Sequence, residues 1–147
     1  MPRKGEAGCV FCEIVKGELH GHVVLETDEV MAFLDTRPLF KGHTLLVPKE
    51  HHETLPDLPE GLVGPLFGEA KRLAKAMEEG LEAAGSFVAL NNRISQSVPH
   101  LHVHVVPRNP KDGLRGFFWP RTKYASDAEA AEYAARLQEA LLRTETV

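Results

Sequence analysis

His100-Leu101-His102-Val103-His104-Val105-Val106, with Gln96-Ser97-Val98-Pro99 before it and Pro107-Arg108 behind, decides how the chain is read. Imidazole and aliphatic side chains alternate three times, which is the period of a β-strand. On a strand the three rings share one face at intervals of roughly 6.5–7 Å, because each residue advances about 3.3 Å. Leu101, Val103 and Val105 then point the other way, into a core. A helix would scatter the rings around its axis and place the β-branched valines poorly. The segment therefore offers a row of groups that titrate near neutrality on a rigid, half-buried support. Packing alone does not account for such a row, since each buried imidazole needs a hydrogen-bond partner.

Working outward, the flanking sequence reads as a single domain over 1–147. At 147 residues, 43% hydrophobic and 26% charged, the chain can bury a core of ordinary size. The formal net charge of −4 disfavours a general nucleic-acid or anionic-membrane binder. No apolar run approaches the roughly 20 residues of a membrane span. Met1-Pro2-Arg3-Lys4-Gly5-Glu6 has no hydrophobic stretch after it, so it does not read as a secretory signal, and a cytoplasmic location is expected. Cys9-Val10-Phe11-Cys12 holds both cysteines; in a reducing compartment that spacing reads as metal-binding or redox rather than as a disulfide framework.

Residues 1–8 read as a loose tail. Glu13–Lys16 reads as a helical turn closed by Gly17. Val23–Glu26 and Val30–Asp35, joined across Thr27-Asp28, read as a β-hairpin, and His43–Pro48 as a third strand. Pro59 to Ala84 carries the long helical pattern, with Leu62, Leu66, Leu73, Met77 and Leu81 as its stripe and Gly85 as a C-cap candidate. Phe87–Asn91 is a fourth strand and the histidine segment a fifth. Asp127–Arg143 is a second helix, N-capped by Ser126 or Asp127. The order predicts an α+β fold: a five-stranded antiparallel sheet with two helices.

The pattern His-φ-His-φ-His-φ-φ after Gln-Ser resembles the histidine-triad (HIT) family of nucleotide hydrolases and nucleotidyl transferases. The likeness runs from Cys9 to Arg108 and takes in Phe33-Leu34-Asp35 and Gly42-His43-Thr44-Leu45-Leu46-Val47-Pro48-Lys49-Glu50-His51. It implies the same five-stranded sheet, with two chains pairing into a ten-stranded dimer. It also implies a mechanism. His102 is the nucleophile that attacks the α-phosphorus of a nucleotide, giving a nucleotidyl-histidine that water hydrolyses. His104 donates to phosphate oxygens; His100 and His43 complete the histidine set. Ser97 and Gln96 bond the phosphates or the leaving group, Asn91 belongs to the same nucleotide-binding segment, and Asp35 takes the ribose hydroxyls. Phe11 and Phe33 either wall the base or belong to the core. In zinc-bearing members Cys9, Cys12, His51 and His100 are the positions of a structural Cys₂His₂ site, with His52 the competitor of His51. His20 and His22 belong to no motif and read as solvated.

One feature departs from the commonest pattern. Asn91-Asn92-Arg93-Ile94-Ser95-Gln96 is short and lacks the glycine that hydrolase-type members often carry before the Gln. His104 as the third histidine argues against the branches whose motif ends in Gln. Gly113 to Arg121 interleaves aromatics with arginine, as a base-stacking segment or an aromatic plug would. The expected function is hydrolysis of purine-nucleotide conjugates, adenosine phosphoramidates or diadenosine polyphosphates, at the α-phosphate. A nucleotide- or metal-binding regulatory module is the alternative, and a three-histidine metalloenzyme a third reading, since His-x-His on a strand is also a metal-ligand spacing.

Overall fold

A computed structural model of the chain describes residues 8–114 and 121–144. Two compact units are distinguished, Met1–Asp112 and Gly113–Val147. The first holds β1 (Val23–Glu26), β2 (Val30–Leu34), β3 (Thr44–Pro48), β4 (Gly85–Ala89) and β5 (Val103–Arg108), together with helices α1 (Val10–Lys16) and α2 (Glu60–Leu81). All pairings are antiparallel, in the order β1-β2-β3-β5-β4. The second unit holds α3 (Asp127–Thr144). The expected tail, apart from Gly8, and Arg115–Pro120 of the aromatic and arginine segment lie outside the described residues. Among the described residues no helix is long and apolar enough to cross a membrane.

Side chains alternate between the two faces of the sheet, as the histidine segment predicts for Val103 and Val105. Val30, Ala32, Leu46, Val103 and Val105 pack with Leu66, Ala70, Leu73 and Met77 of α2. Met31, Phe33, Leu45 and Val47 face the other way and pack with Cys9, Phe11 and Cys12 at the start of α1. Each fully buried Val or Leu contributes about 1.5–3 kcal/mol, so α2 survives Gly64 and Pro65 near its start because four of its side chains are buried against the sheet.

Several boundaries differ from expectation. The turn over Glu13–Lys16 is a true third helix, capped at Cys9, whose Sγ accepts from the Cys12 N–H at 3.3 Å, and closed as expected at Gly17 in the left-handed conformation. Glu82, not Gly85, is the left-handed cap of α2 (φ 57°), and Gly85 opens β4 two residues early, leaving Asn91 beyond the strand. Ser126 rather than Asp127 caps α3, its Oγ accepting from the Glu129 N–H. Most consequential, β5 begins at Val103, so His100 and His102 precede the ladder. Register explains this: Leu46 lies opposite Val103, and two residues on the partner would be Pro48, which has no N–H to give. The Leu101 N–H turns to the His52 carbonyl at 2.7 Å instead, and Leu101 still packs in the same core as Val103 and Val105.

Gly42 stands at the entry to β3 with φ 104°, and a Cβ there would lie 2.5 Å from Leu81 Cδ1. Gly42→Ala should cost about 1–2 kcal/mol, the strain of a left-handed residue with a yielding neighbour. The corresponding fall in Tm, about 2–8 °C, is read by thermal unfolding; an unchanged Tm contradicts the steric reading.

Candidate active site

His102 sits at the base of a cleft of about 570 Å³ between α1, the end of β2 and β5. That volume suits a small organic ligand. The His102 ring is buried and its Nδ1 lies 2.8 Å from the His100 carbonyl oxygen. A carbonyl can only accept, so Nδ1 carries the proton and Nε2 keeps its lone pair. Phe11 meets the ring edge-on at 5.1 Å and holds its plane.

The other two histidines of the motif go to different places. His104 lies between Leu45 of β3 and Ala89 of β4 in the sheet, its ring 5.0 Å from that of His102. Its Nδ1 is 2.9 Å from His43 Nε2, while His43 Nδ1 accepts from the Leu39 N–H at 3.0 Å. The chain of partners therefore fixes both tautomers: His43 donates through Nε2, His104 accepts on Nδ1 and keeps an N–H at Nε2. His100 is fully buried; its Nε2 donates to the Pro48 carbonyl at 2.9 Å. Its Nδ1 faces Cys9 Sγ at 3.3 Å and Cys12 Sγ at 3.5 Å. The triad thus does not gather on one point, as a three-histidine metal centre would require.

Burial sets the charge state of these rings. It pushes His104 down to about 4, helped by His102 and His43 and opposed by Asp35. It lowers His43, against the pull of Asp35, and lowers His102, against the hydrogen bond to the His100 carbonyl. The cluster is therefore neutral at pH 7 and presents an unprotonated Nε2 on His102.

Asp35 lines the cleft beyond the end of β2. Its Oδ1 accepts from the Arg37 N–H at 2.9 Å, and Oδ2 stands 3.7 Å from His43 Nε2. It is both a turn residue and a wall of the site. Ser97 also lines the cleft; Asn91 and Gln96 do not. The Gln96 side chain ties its loop to the Glu53 segment, accepting from the Arg93 N–H at 2.8 Å and donating to the Glu53 carbonyl at 2.6 Å. Without glycine, that loop places Arg93 (φ 71°) and Ser95 (φ 62°) in the left-handed region, and the Gln96 amide holds the backbone there. Phe11 and Phe33, in edge contact at 5.4 Å, are buried and still face the cleft, so they are core and wall at once. His20 and His22 are exposed, as read, yet they too line the cleft. Their place follows from the path between α1 and β1, for which the sequence has no local signal.

Behind His102 lies a second cluster. Cys9, Cys12, His51 and His100 are all buried, and their ligand atoms lie within 4.8 Å of one another. Cys12 Sγ is 3.2 Å from His51 Nδ1. His52, the competitor, pairs with Glu50 at 2.9 Å. A tetrahedral ion with bonds of ~2.3 Å to sulfur and ~2.0–2.1 Å to nitrogen needs S···N edges of roughly 3.5 Å, close to the separations found. The bond from His100 Nε2 to Pro48 fixes the tautomer that a metal would need. The four residues can hold a metal ion.

Comparison with known proteins agrees with this geometry. The HIT domain family pattern matches residues 16–111. An adenosine 5'-monophosphoramidase of Saccharomyces cerevisiae is 39% identical over 77% of this chain and 71% of its own. A HIT family crystal structure from Bacillus subtilis superposes with a TM-score of 0.82 at 30% identity, covering 90% of this chain and 96% of that one. A zinc-bound histidine triad family protein from Mycobacterium smegmatis gives 0.70 at 35% identity, covering 90% and 97%. The sheet, the placement of the histidines and these matches agree: the chain belongs to the HIT domain family.

Proposed function

We propose that the protein is a nucleotide hydrolase that cleaves purine-nucleotide conjugates at the α-phosphate through a nucleotidyl-His102 intermediate. The observation that carries this is the bond from His102 Nδ1–H to the His100 carbonyl, which leaves the Nε2 lone pair in the cleft. A relative that is an adenosine 5'-monophosphoramidase supports the reaction class. In the first step Nε2 forms a bond to the α-phosphorus while the bond to the leaving group breaks, and the leaving group takes up a proton from water. In the second, water attacks phosphorus, the P–N bond breaks and the ring returns to its starting state. The free N–H of His104 meets charge developing on the phosphate oxygens. Asp35 receives the ribose hydroxyls, and Ser97 donates to phosphate.

Cys9, Cys12, His51 and His100 fit structural zinc by donor chemistry and spacing. When bound, zinc would tie the start of α1 to His100 and supply structural support rather than chemistry. β4 closes one edge of the sheet and shows Val88 outward, which suits pairing of two chains into a homodimer.

The test is AMP release from an adenosine phosphoramidate and from a diadenosine polyphosphate, by wild type and by His102→Ala. Release that needs His102 supports the proposal, and the ratio of the two rates names the leaving group. AMP binding without release from either substrate would replace the hydrolase with a binding module. The pH profile is a further check. The active form is the neutral cluster, and burial lowers His43, His102 and His104. kcat/KM should therefore stay level through neutrality and fall only below pH 6.5; an acid limb centred above 6.5 contradicts the neutral-nucleophile mechanism.

A further inference from the structure

His20 and His22 line the cleft, but the mechanism above gives them no task. Their rings lie 4.8 Å apart at an interplanar angle of 83°. The backbone holds them in place: the His22 carbonyl accepts from the Leu34 N–H at 3.0 Å, one residue ahead of Asp35. Between them Gly21 is pressed on the cleft wall, where a Cβ would meet Ile14 Cγ2 at 3.1 Å and Phe33 Cβ at 3.8 Å.

The cleft lining is mixed: His102, His104, Ser97 and Asp35 are polar, and Phe11, Ile14, Leu19 and Phe33 are apolar. Phe11 touches both the His102 ring and Phe33, so the apolar wall starts beside His102 and includes Phe33 and Ile14, against which Gly21 packs. A nucleotide with its phosphorus at His102 and its ribose at Asp35 lays its base on that apolar wall. Apolar and aromatic walls hold any base by its faces and choose poorly among them. The hydrogen-bonding edge of the base still needs partners, or it loses those that water gave it. His20 and His22 flank Gly21, which lies against Ile14 and Phe33 of that wall, and an imidazole has ring nitrogens that can accept or donate.

We propose that His20 and His22 read the edge of the base and make the site selective for adenine over guanine, an inference that rests on the nucleotide hydrolase reading. Adenine presents an amino donor beside the N7 acceptor, whereas guanine presents two acceptors there. One imidazole lone pair and one imidazole N–H answer the adenine edge together. Arg37, which also lines the cleft beside Asp35, is a donor only and would favour guanine O6.

The experiment compares AMP with GMP binding by calorimetry, and adenosine with guanosine phosphoramidate turnover, for wild type and for His20→Phe/His22→Phe. Phenylalanine keeps a flat ring at each position and removes the hydrogen bonds. Wild type should prefer adenine by about tenfold, what roughly one net hydrogen bond provides. In the variant the preference should shrink to within about twofold, with the loss on KM rather than kcat. His20→Gln/His22→Gln, which restores a donor and an acceptor at each exposed position, should recover it. GMP binding as tight as AMP in wild type, or a preference unchanged in the phenylalanine variant, would overturn the proposal; a guanine preference lost on Arg37→Ala would do the same. The two readings fail separately. Turnover without base preference removes only the base reading, and an AMP preference without turnover removes only the hydrolase.

Discussion

His102→Ala is expected to lower kcat/KM for AMP-releasing substrates at least roughly a thousandfold, because under the proposed mechanism it deletes the attacking atom and not an accessory contact. AMP affinity should stay within a few-fold of wild type, since Asp35, Ser97 and the Phe11–Phe33 wall remain. The contrast between a lost kcat and a kept affinity is the signature of a group that acts in the transition state. Wild-type protein mixed with substrate and quenched in alkali, where a P–N bond lasts longer than in acid, should carry one nucleotidyl group per chain. His102→Ala should carry none. His104→Ala should slow turnover less, about a hundredfold, as removal of a single donor to a developing charge does. If His102→Ala keeps half of the wild-type rate, the covalent mechanism is wrong whatever the affinity.

Cys12→Ser carries the second large effect. The Cys12 side chain is almost wholly buried and lies 3.2 Å from His51 Nδ1 and 3.5 Å from His100 Nδ1. Serine binds zinc far more weakly than a thiolate and leaves a poorly matched hydroxyl among apolar neighbours. Zinc content should fall from one per chain to near zero. Stability should drop by about 3 kcal/mol or more, because metal that binds only the folded chain contributes its binding energy to folding. For a chain of this size that corresponds to about 10 °C in Tm. Turnover should fall as well, since His100 carries the carbonyl that aims His102. Purified wild type that contains no metal, with a Tm equal to that of Cys12→Ser, would sink the metal site.

Much of the sheet was legible because its signal is local. Val30–Leu34 and Thr44–Pro48 are apolar runs that read as strands, and the ladder follows them, while which of their side chains face α2 and which face α1 is decided by pairing and packing. Helix and strand ends were less legible where two residues compete for one role. Glu82 took the left-handed cap ahead of Gly85, and Ser126 took the cap ahead of Asp127. The histidine strand started late because its partner strand ends in a proline, a fact of pairing that no single segment contains.

The sequence by itself determined the family resemblance, the antiparallel sheet and the set of histidines and cysteines, all of which depend on residue type and short-range spacing. Only the tertiary structure decided how these groups are shared out. It turned His100 toward Cys9 and Cys12, 91 and 88 residues away along the chain, aimed His102 through the His100 carbonyl, and joined His104 to His43. It tied Gln96 to Arg93 of its own loop and to the Glu53 carbonyl, and brought His20 and His22 to the cleft. The reason is physical: an imidazole's role is set by which atoms meet its two nitrogens, and those atoms come from strands and loops far apart in sequence.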